Sequence, residues 1–312
     1  MKKFILTNFT IILICFTSCD EIEAPYKNLC LDPLACNLDG LLPCIYPEVG
    51  VDCDSLNILE NSKTILVEKF TGHKCSNCPE ATRKLKELQQ LYGNNIIPVA
   101  IHPGSLIEFT GTDSNYPYNF TTSPSDIIAN DMGAIYLPLG TINRIPGGNS
   151  NRCFTKENWG SEIHKLLYDS EGNPLARSFN IEINTSFNET NKELTIETDI
   201  ESLDDVIENY KFALIIIEDS IIAPQIDGTE YIENYEHNHI YRCAINGTYG
   251  ESINLESNVT LTTTHTMIFN TDYNSNWTVD WNNISNCYVV AYIYNDESLI
   301  IEESRKKQII NE

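Results

Sequence analysis

The chain has 312 residues, 42 % of them hydrophobic, and a formal net charge of −24. Such a charge repels nucleic acid and anionic lipid headgroups, which excludes nucleic-acid binding, while the apolar content suffices for ordinary cores. The acidic residues are spread along the chain, which reads as a solvated surface rather than a binding tail, and the length suits about two domains.

The N-terminus sets the compartment. Lys2 and Lys3 precede an apolar run from Phe4 to Phe16, followed by the small residues Thr17 and Ser18 and then Cys19. This is a secretory leader, too short to span a membrane as a mature helix. Its ending resembles a bacterial lipobox, in which Cys19 becomes the new N-terminus and carries the lipid; the alternative is an ordinary cleaved signal. Residues 1–18 are then the leader, and the lipid is the expected membrane anchor because no later stretch is apolar enough to span. Asp20 and Glu21 are compatible with sorting to the outer membrane or cell surface. The expected location is the envelope of a Gram-negative bacterium, lipid-anchored at the outer membrane.

Residues 19–58 form a cysteine-rich surface segment. Cys30, Cys36, Cys44 and Cys53 lie among Pro, Asp and Gly with too little apolar content for a core, so two disulfides are expected, with connectivity open. The stretch "CLDPLACNLDG" resembles short Asp- and Asn-rich cysteine motifs of secreted bacterial surface modules. Asn37, Asp39 and Gly40 hint at a calcium loop, but the rest of the twelve-residue ligand pattern is missing. Cys153, Cys243 and Cys287 stand alone further on, which implies at least one free thiol.

Residues 59–175 read as an α/β domain. "TILVEKF" is a buried strand, and Cys75-x-x-Cys78-Pro79 follows it. Ala81, Leu85, Leu88 and Leu91 then recur at helical spacing, and Gly93 ends the helix. "IIPVAIH" is the next strand, parallel to the first if the helix crosses over. Residues 103–130 read as a long polar insertion. "AIYLPLGTINRI" supplies Pro138 and a strand closed by the turn Pro146-Gly147-Gly148, and a short helix is expected over 156–168. This is the element order of a thioredoxin-like domain. The first cysteine sits at a helix N-terminus, where free amides and the dipole stabilise a thiolate, and Cys78 is close enough to resolve a mixed disulfide. His73 and Lys74 add positive charge. Pro138 is the candidate for the cis-proline that presents a partner's backbone in thioredoxins. A zinc site would need two further ligands, and no second Cys-x-x-Cys or suitably spaced His pair lies nearby. A structural disulfide in a redox-inactive thioredoxin-like fold is the rival: Ser76-Asn77 is not the usual dipeptide, and Lys74 stands where thioredoxins carry Trp. Glu68 is a candidate for their buried proton-accepting acid, one residue further from the first cysteine, or else a solvated strand-edge carboxylate.

From about residue 176 to 312 the pattern alternates. "FNIEINTSF", "ELTIETDI", "KFALIIIED", "HIYRCAI", "TTHTMIF" and "CYVVAYIYN" read as short strands of an all-β antiparallel sandwich.

With "LVEKFTGHKCSNCPEA", "LPLGTINR" (137–144), "EHNHIYRCAINGTYGES" (236–252) and "YVVAYIYN" (288–295), the chain resembles the outer-membrane lipoprotein family named after a twenty-eight-kilodalton outer-membrane protein. The resemblance covers roughly residues 60–310. It implies a cell-envelope location, a thioredoxin-like domain and a two-domain layout, and no established substrate. The four-cysteine segment lies outside it and looks like an added module.

His237 and His239 would share one face of a strand, which is metal-ligand spacing, with Glu236 or His265 as further donors; the structural reading is a strand start packed against the α/β domain, with Arg242 in polar contacts. No cofactor is called for. Two functions remain in view. One is an envelope-tethered thiol–disulfide protein, in which Cys75 attacks, Cys78 resolves and Pro138 orients a client protein. The other is a non-catalytic surface-binding or adhesive lipoprotein that uses the thioredoxin-like fold as scaffold.

Overall fold

The computed structural model describes residues 62–147, 151–206, 208–269 and 283–310, which belong to the unit Asn57–Glu312. The leader, Cys19 and the expected disulfides of Cys30, Cys36, Cys44 and Cys53 lie outside the described residues. Strand β1 (Ile65–Phe70) leads through Cys75 and Cys78 into helix α1 (Cys78–Tyr92), which returns to β2 (Ile96–Ile101), parallel to β1. Helix α1 buries Ala81, Leu85 and Leu88 as their spacing requires, and the chain leaves it at Gly93 with φ of 57°. A short helix α2 (Ile107–Thr110) and a longer α3 (Ser123–Met132) precede β3 (Leu139–Ile142), which runs antiparallel to β1. Helix α3 departs from the all-loop insertion expected for 103–130. Its signals are local: the Thr122 hydroxyl accepts from the Ser125 amide at 3.2 Å, Pro124 sits in the first turn, and Gly133 closes the end at φ of 79°. Helix α4 (Lys156–Leu167) buries Trp159, Ile163 and Leu167.

Ten strands follow among the described residues: β4 (Phe179–Asn188), β5 (Glu193–Ser202), β6 (Tyr210–Glu218), β7 (Ile221–Asp227), β8 (Glu230–His237), β9 (Ile240–Ala244), β10 (Glu251–Ile253), β11 (Leu261–Ile268), β12 (Cys287–Asn295) and β13 (Ile301–Gln308). They do not all form the expected antiparallel sandwich. The main sheet has the order β13-β12-β6-β9-β2-β1-β3, with β10 also on β6, so strands from both halves of the chain share it. The seam is the parallel contact of Ala100 with Ile240, where the Ala100 amide donates to the His239 carbonyl at 2.7 Å. The second layer is the three-stranded sheet β11-β5-β4, and β7-β8 is a hairpin apart.

The reason is written in β6. A strand with one wet face alternates, whereas "FALIII" is continuously apolar and needs cover on both faces. Phe212, Leu214 and Ile216 pack with Ile181, Leu194 and Ile196 of the three-stranded sheet. Ala213, Ile215 and Ile217 face the other core, with Phe70, Ile101, Met132, Cys75 and Cys78. A buried ion pair ties the same halves. Glu68 accepts from Arg144 Nη2 at 2.5 Å and from the Thr141 hydroxyl at 2.7 Å, and Arg144 also donates to the Tyr292 hydroxyl on β12 at 3.3 Å.

Candidate functional site

The site grows from the end of β1. After Phe70 the chain turns through Thr71–Lys74 and reaches Cys75, which is disulfide-bonded to Cys78 with an S–S distance of 2.05 Å. Cys78 opens α1, and Pro79 follows in the first turn, where its missing amide costs nothing. Both cysteines are buried, at 2 % and 1 % exposure. Gly72 is required here: a Cβ would stand 2.5 Å from the Phe109 carbonyl oxygen. Phe109 belongs to the insertion, which forms one wall. The Lys74 amide donates to the Phe109 carbonyl at 3.0 Å, the Lys74 ammonium meets Asp113 at 2.6 Å, and a His73 ring nitrogen lies 3.1 Å from the Gly111 carbonyl.

The opposite wall is the β7-β8 hairpin, for which the sequence shows no strand alternation. Its two-residue loop is Gly228-Thr229, with Gly228 at φ of 61°. Pairing shifts register between Ala223 and Gln225, around Pro224. Gln225 Nε2 donates to the carbonyls of Gly72 and Cys75, each at 3.3 Å. The Ile226 amide donates to the His73 carbonyl at 3.0 Å and the Gly228 amide to the Ser76 carbonyl at 2.8 Å. The Tyr231 hydroxyl reaches the Asn115 carbonyl at 2.9 Å, so hairpin and insertion meet across the loop. The local signal for this hairpin is the glycine-led loop Gly228-Thr229, which the largely exposed β8 does not reinforce.

Behind Cys78 lies a cavity of about 20 Å³, lined in part by Lys69, Thr82, His102, Gln225 and His237. The His102 ring stacks on Phe120 at 4.6 Å and the His237 ring lies 4.7 Å from it. Burial pushes His102 well below the ordinary histidine range and His237 down to about 3, so both are neutral. Among the described residues neither ring nitrogen of His102 has a hydrogen-bond partner. The Lys69 amine donates to the Thr82 hydroxyl at 2.6 Å, and burial lowers its pKa to about 8.

The remaining candidates fall as follows. The Leu137–Pro138 peptide is cis, and Leu139 pairs with Phe70, so Pro138 stands at the sheet end from which β1 leads to Cys75. Glu68 is committed elsewhere: Arg144 and the Thr141 hydroxyl hold its carboxylate. His237 and His239 do not share a strand face. β8 ends at His237, and His239 has φ of 61°, with its amide on Asp219 Oδ1 at 2.6 Å and its ring nitrogen 3.0 Å from the same oxygen. The left-handed residue breaks the period of two on which the ligand spacing depended. Among the described residues no group of three or more His, Cys, Asp or Glu is arranged to hold a metal. Cys153, Cys243 and Cys287 are free and buried, and burial raises the Cys153 and Cys243 thiols to about 12.

The mixed sheet and its covered Cys-x-x-Cys loop define a sheet-rich α/β fold. A family model described as outer membrane protein Omp28 matches residues 126–312, and the chain belongs to that family. The matched stretch begins after Cys75–Cys78, so it is shorter than the resemblance expected over 60–310. The structure of HBP35 of Porphyromonas gingivalis is similar at a TM-score of 0.60 and 12 % identity, over 80 % of this chain and 76 % of that one, which shows a common fold. Protein AGR_C_4864 from Agrobacterium tumefaciens matches at 0.46 and 12 % identity, over 80 % and 96 %. A domain of the outer membrane lipoprotein Omp28 from Porphyromonas gingivalis matches at 0.30 and 14 % identity, over 43 % and 88 %. No curated protein matches the sequence significantly. No helix among the described residues is long and apolar enough to cross a membrane.

Proposed function

We propose that the chain is an outer-membrane lipoprotein, anchored through Cys19, whose thioredoxin-like part exchanges disulfides with client proteins through Cys75 and Cys78. The observation that carries this reading is the placement of the pair at the start of the fifteen-residue helix α1, beside the sheet end that bears Pro138. A thiolate at Cys75 is favoured by the free amides of that helix end. Cys75 attacks a client disulfide, Cys78 resolves the mixed disulfide, and Pro138 orients the client strand. Gln225 and its hairpin cover the loop, so a client must displace them.

The test is the reduction potential of the pair, read by glutathione equilibration, alkylation and mass measurement of the chain without its leader. A value between roughly −270 and −120 mV supports a cycling pair, and one below about −300 mV marks a structural disulfide. The second outcome would move the function to a surface-binding scaffold. The anchor is tested separately: Cys19→Ala should abolish lipid labelling and release the chain from membranes.

A further inference from the structure

We propose that Lys69 is the proton acceptor of Cys78 and the counter-ion of its thiolate, connecting the resolving cysteine to solvent. The inference rests on the exchange reading above and adds to it a positioning residue that no resemblance supplied.

The geometry places Lys69 between two spaces. On one side is the cavity of about 20 Å³ that it shares with Cys78, His102 and His237, enough for one water. On the other is a cavity of about 170 Å³ lined by Lys69, Lys86, Gln89, Asn238 and His239, which leads toward exposed Lys86. Lys69 also holds the start of α1 directly: its amine donates to the Thr82 hydroxyl at 2.6 Å, and that hydroxyl donates to the Cys78 carbonyl at 3.2 Å.

What faces Lys69 leaves it the only group suited to the task among those lining the inner cavity. Helix α1 presents Cys78, Thr82 and, further out, Lys86. The end of β2 presents His102, the hairpin presents Tyr235, Glu236 and His237, and His239 follows. The His73 ring lies 5.8 Å from Phe120, the ring on which His102 stacks. Those imidazoles resist protonation because they are buried, and His102 keeps two unpartnered nitrogens in the cavity wall. Glu236 is exposed and accepts from the Ser220 hydroxyl at 2.9 Å. Among the described residues this buried amine has no carboxylate partner, and burial lowers its pKa to about 8, so at pH 7 about one molecule in ten holds it neutral and able to accept a proton, a fraction that grows as pH rises toward 8.

With Cys75 in a mixed disulfide to the client, the Cys78 thiol gives its proton to the neutral Lys69 amine. The Cys78 thiolate attacks Cys75 Sγ, forming the Cys75–Cys78 bond and breaking the bond from Cys75 to the client sulfur. The client sulfur leaves as thiolate with the electron pair and takes a proton from solvent. The cysteine pair is oxidised by two electrons and the client disulfide is reduced by two. Lys69 then returns its proton through the outer cavity.

The test uses the Cys75→Ser chain carrying carbon-13 at cysteine Cβ, with Cys78 assigned against a chain that also carries Cys78→Ser. In Lys69→Met the midpoint of Cys78 should rise by about one unit or more, the effect of removing a neighbouring cation. In the otherwise unaltered chain, the Lys69 Cε titration should lie higher in the dithiol than in the disulfide form, because coupling is reciprocal. A Cys78 midpoint unchanged in folded Lys69→Met overturns the proposal. Should that variant fail to fold, a Lys69 titration identical in the two redox states overturns it. A pair that glutathione never reduces ends the exchange reading but leaves the Cys78 titration readable. A cycling pair without the coupling ends this inference alone.

Discussion

Glu68 and Lys69 are sequence neighbours with opposite fates, because successive strand residues point to opposite faces. Glu68 is 2 % exposed and finds Arg144, which is fully buried, so each charge compensates the other. Arg144→Met strands the carboxylate and should cost about 3–5 kcal/mol of stability in urea unfolding near neutral pH. His237 gives a pH signature. Its pKa falls from 6.5 to about 3 on folding because burial disfavours the imidazolium. The unfolded chain therefore binds more protons between these values. The stabilisation is complete above about pH 6.5 and is lost as pH falls toward about 3. Glu303 acts the other way, since burial raises its pKa to about 7 and favours the folded state as pH drops from there toward 4.5. His237→Phe, which keeps a ring against Phe120 and Tyr235, should flatten the acid limb of stability against pH; an unchanged limb would remove His237 from the account.

At the scale of elements, the β7-β8 hairpin decides access to the disulfide. Its ion pair from Arg83 to Asp227 at 2.7 Å is largely exposed on the arginine side and holds little. The buried amide of Gln225 on two loop carbonyls holds more. Gln225→Ala should speed reduction of Cys75–Cys78 by a small thiol about threefold to tenfold, the equivalent of a hydrogen bond of about 0.5–1.5 kcal/mol. Quenched alkylation over time reads that rate. Gly72→Ala forces a methyl group against the Phe109 carbonyl and should disturb the opposite wall, seen as loss of the thermal stability of the fold. Helix α1 and strands β1 and β2 were readable because a continuous apolar run, Cys-x-x-Cys-Pro and a helical stripe each carry their own signal. The hairpin was not, since β8 ("EYIENYEH") leaves most of its side chains exposed and lacks the alternation of a half-buried strand.

For the whole molecule, the shared sheet predicts one cooperative unfolding transition for the described unit rather than two. Circular dichroism in the far ultraviolet and tryptophan fluorescence of Trp159, which lies in α4, should report coincident midpoints. Leu214→Ala, on the β6 face toward the second sheet, should lower that common midpoint at a cost of about 2–5 kcal/mol, although it lies far along the chain from Trp159. Separate transitions would show that the seam of Ala100 and Ile240 does not join the halves energetically.

The sequence by itself determined local elements: the cysteine pair at a helix start, strands β1, β2 and β6, and Pro138 just before β3. These depend on residues close in the chain, where propensity and periodicity act. Only the tertiary structure decided how strands of both halves share the main sheet, that Glu68 pairs with Arg144 while Lys69 lines the cavity beside Cys78, and that Gln225, His102 and His237 close around that cavity. Those outcomes depend on contacts between residues up to about 150 positions apart, such as Gln225 with Cys75. Their energy comes from burying two faces of β6 and pairing charges away from water, and no local pattern encodes which distant partner will supply the cover.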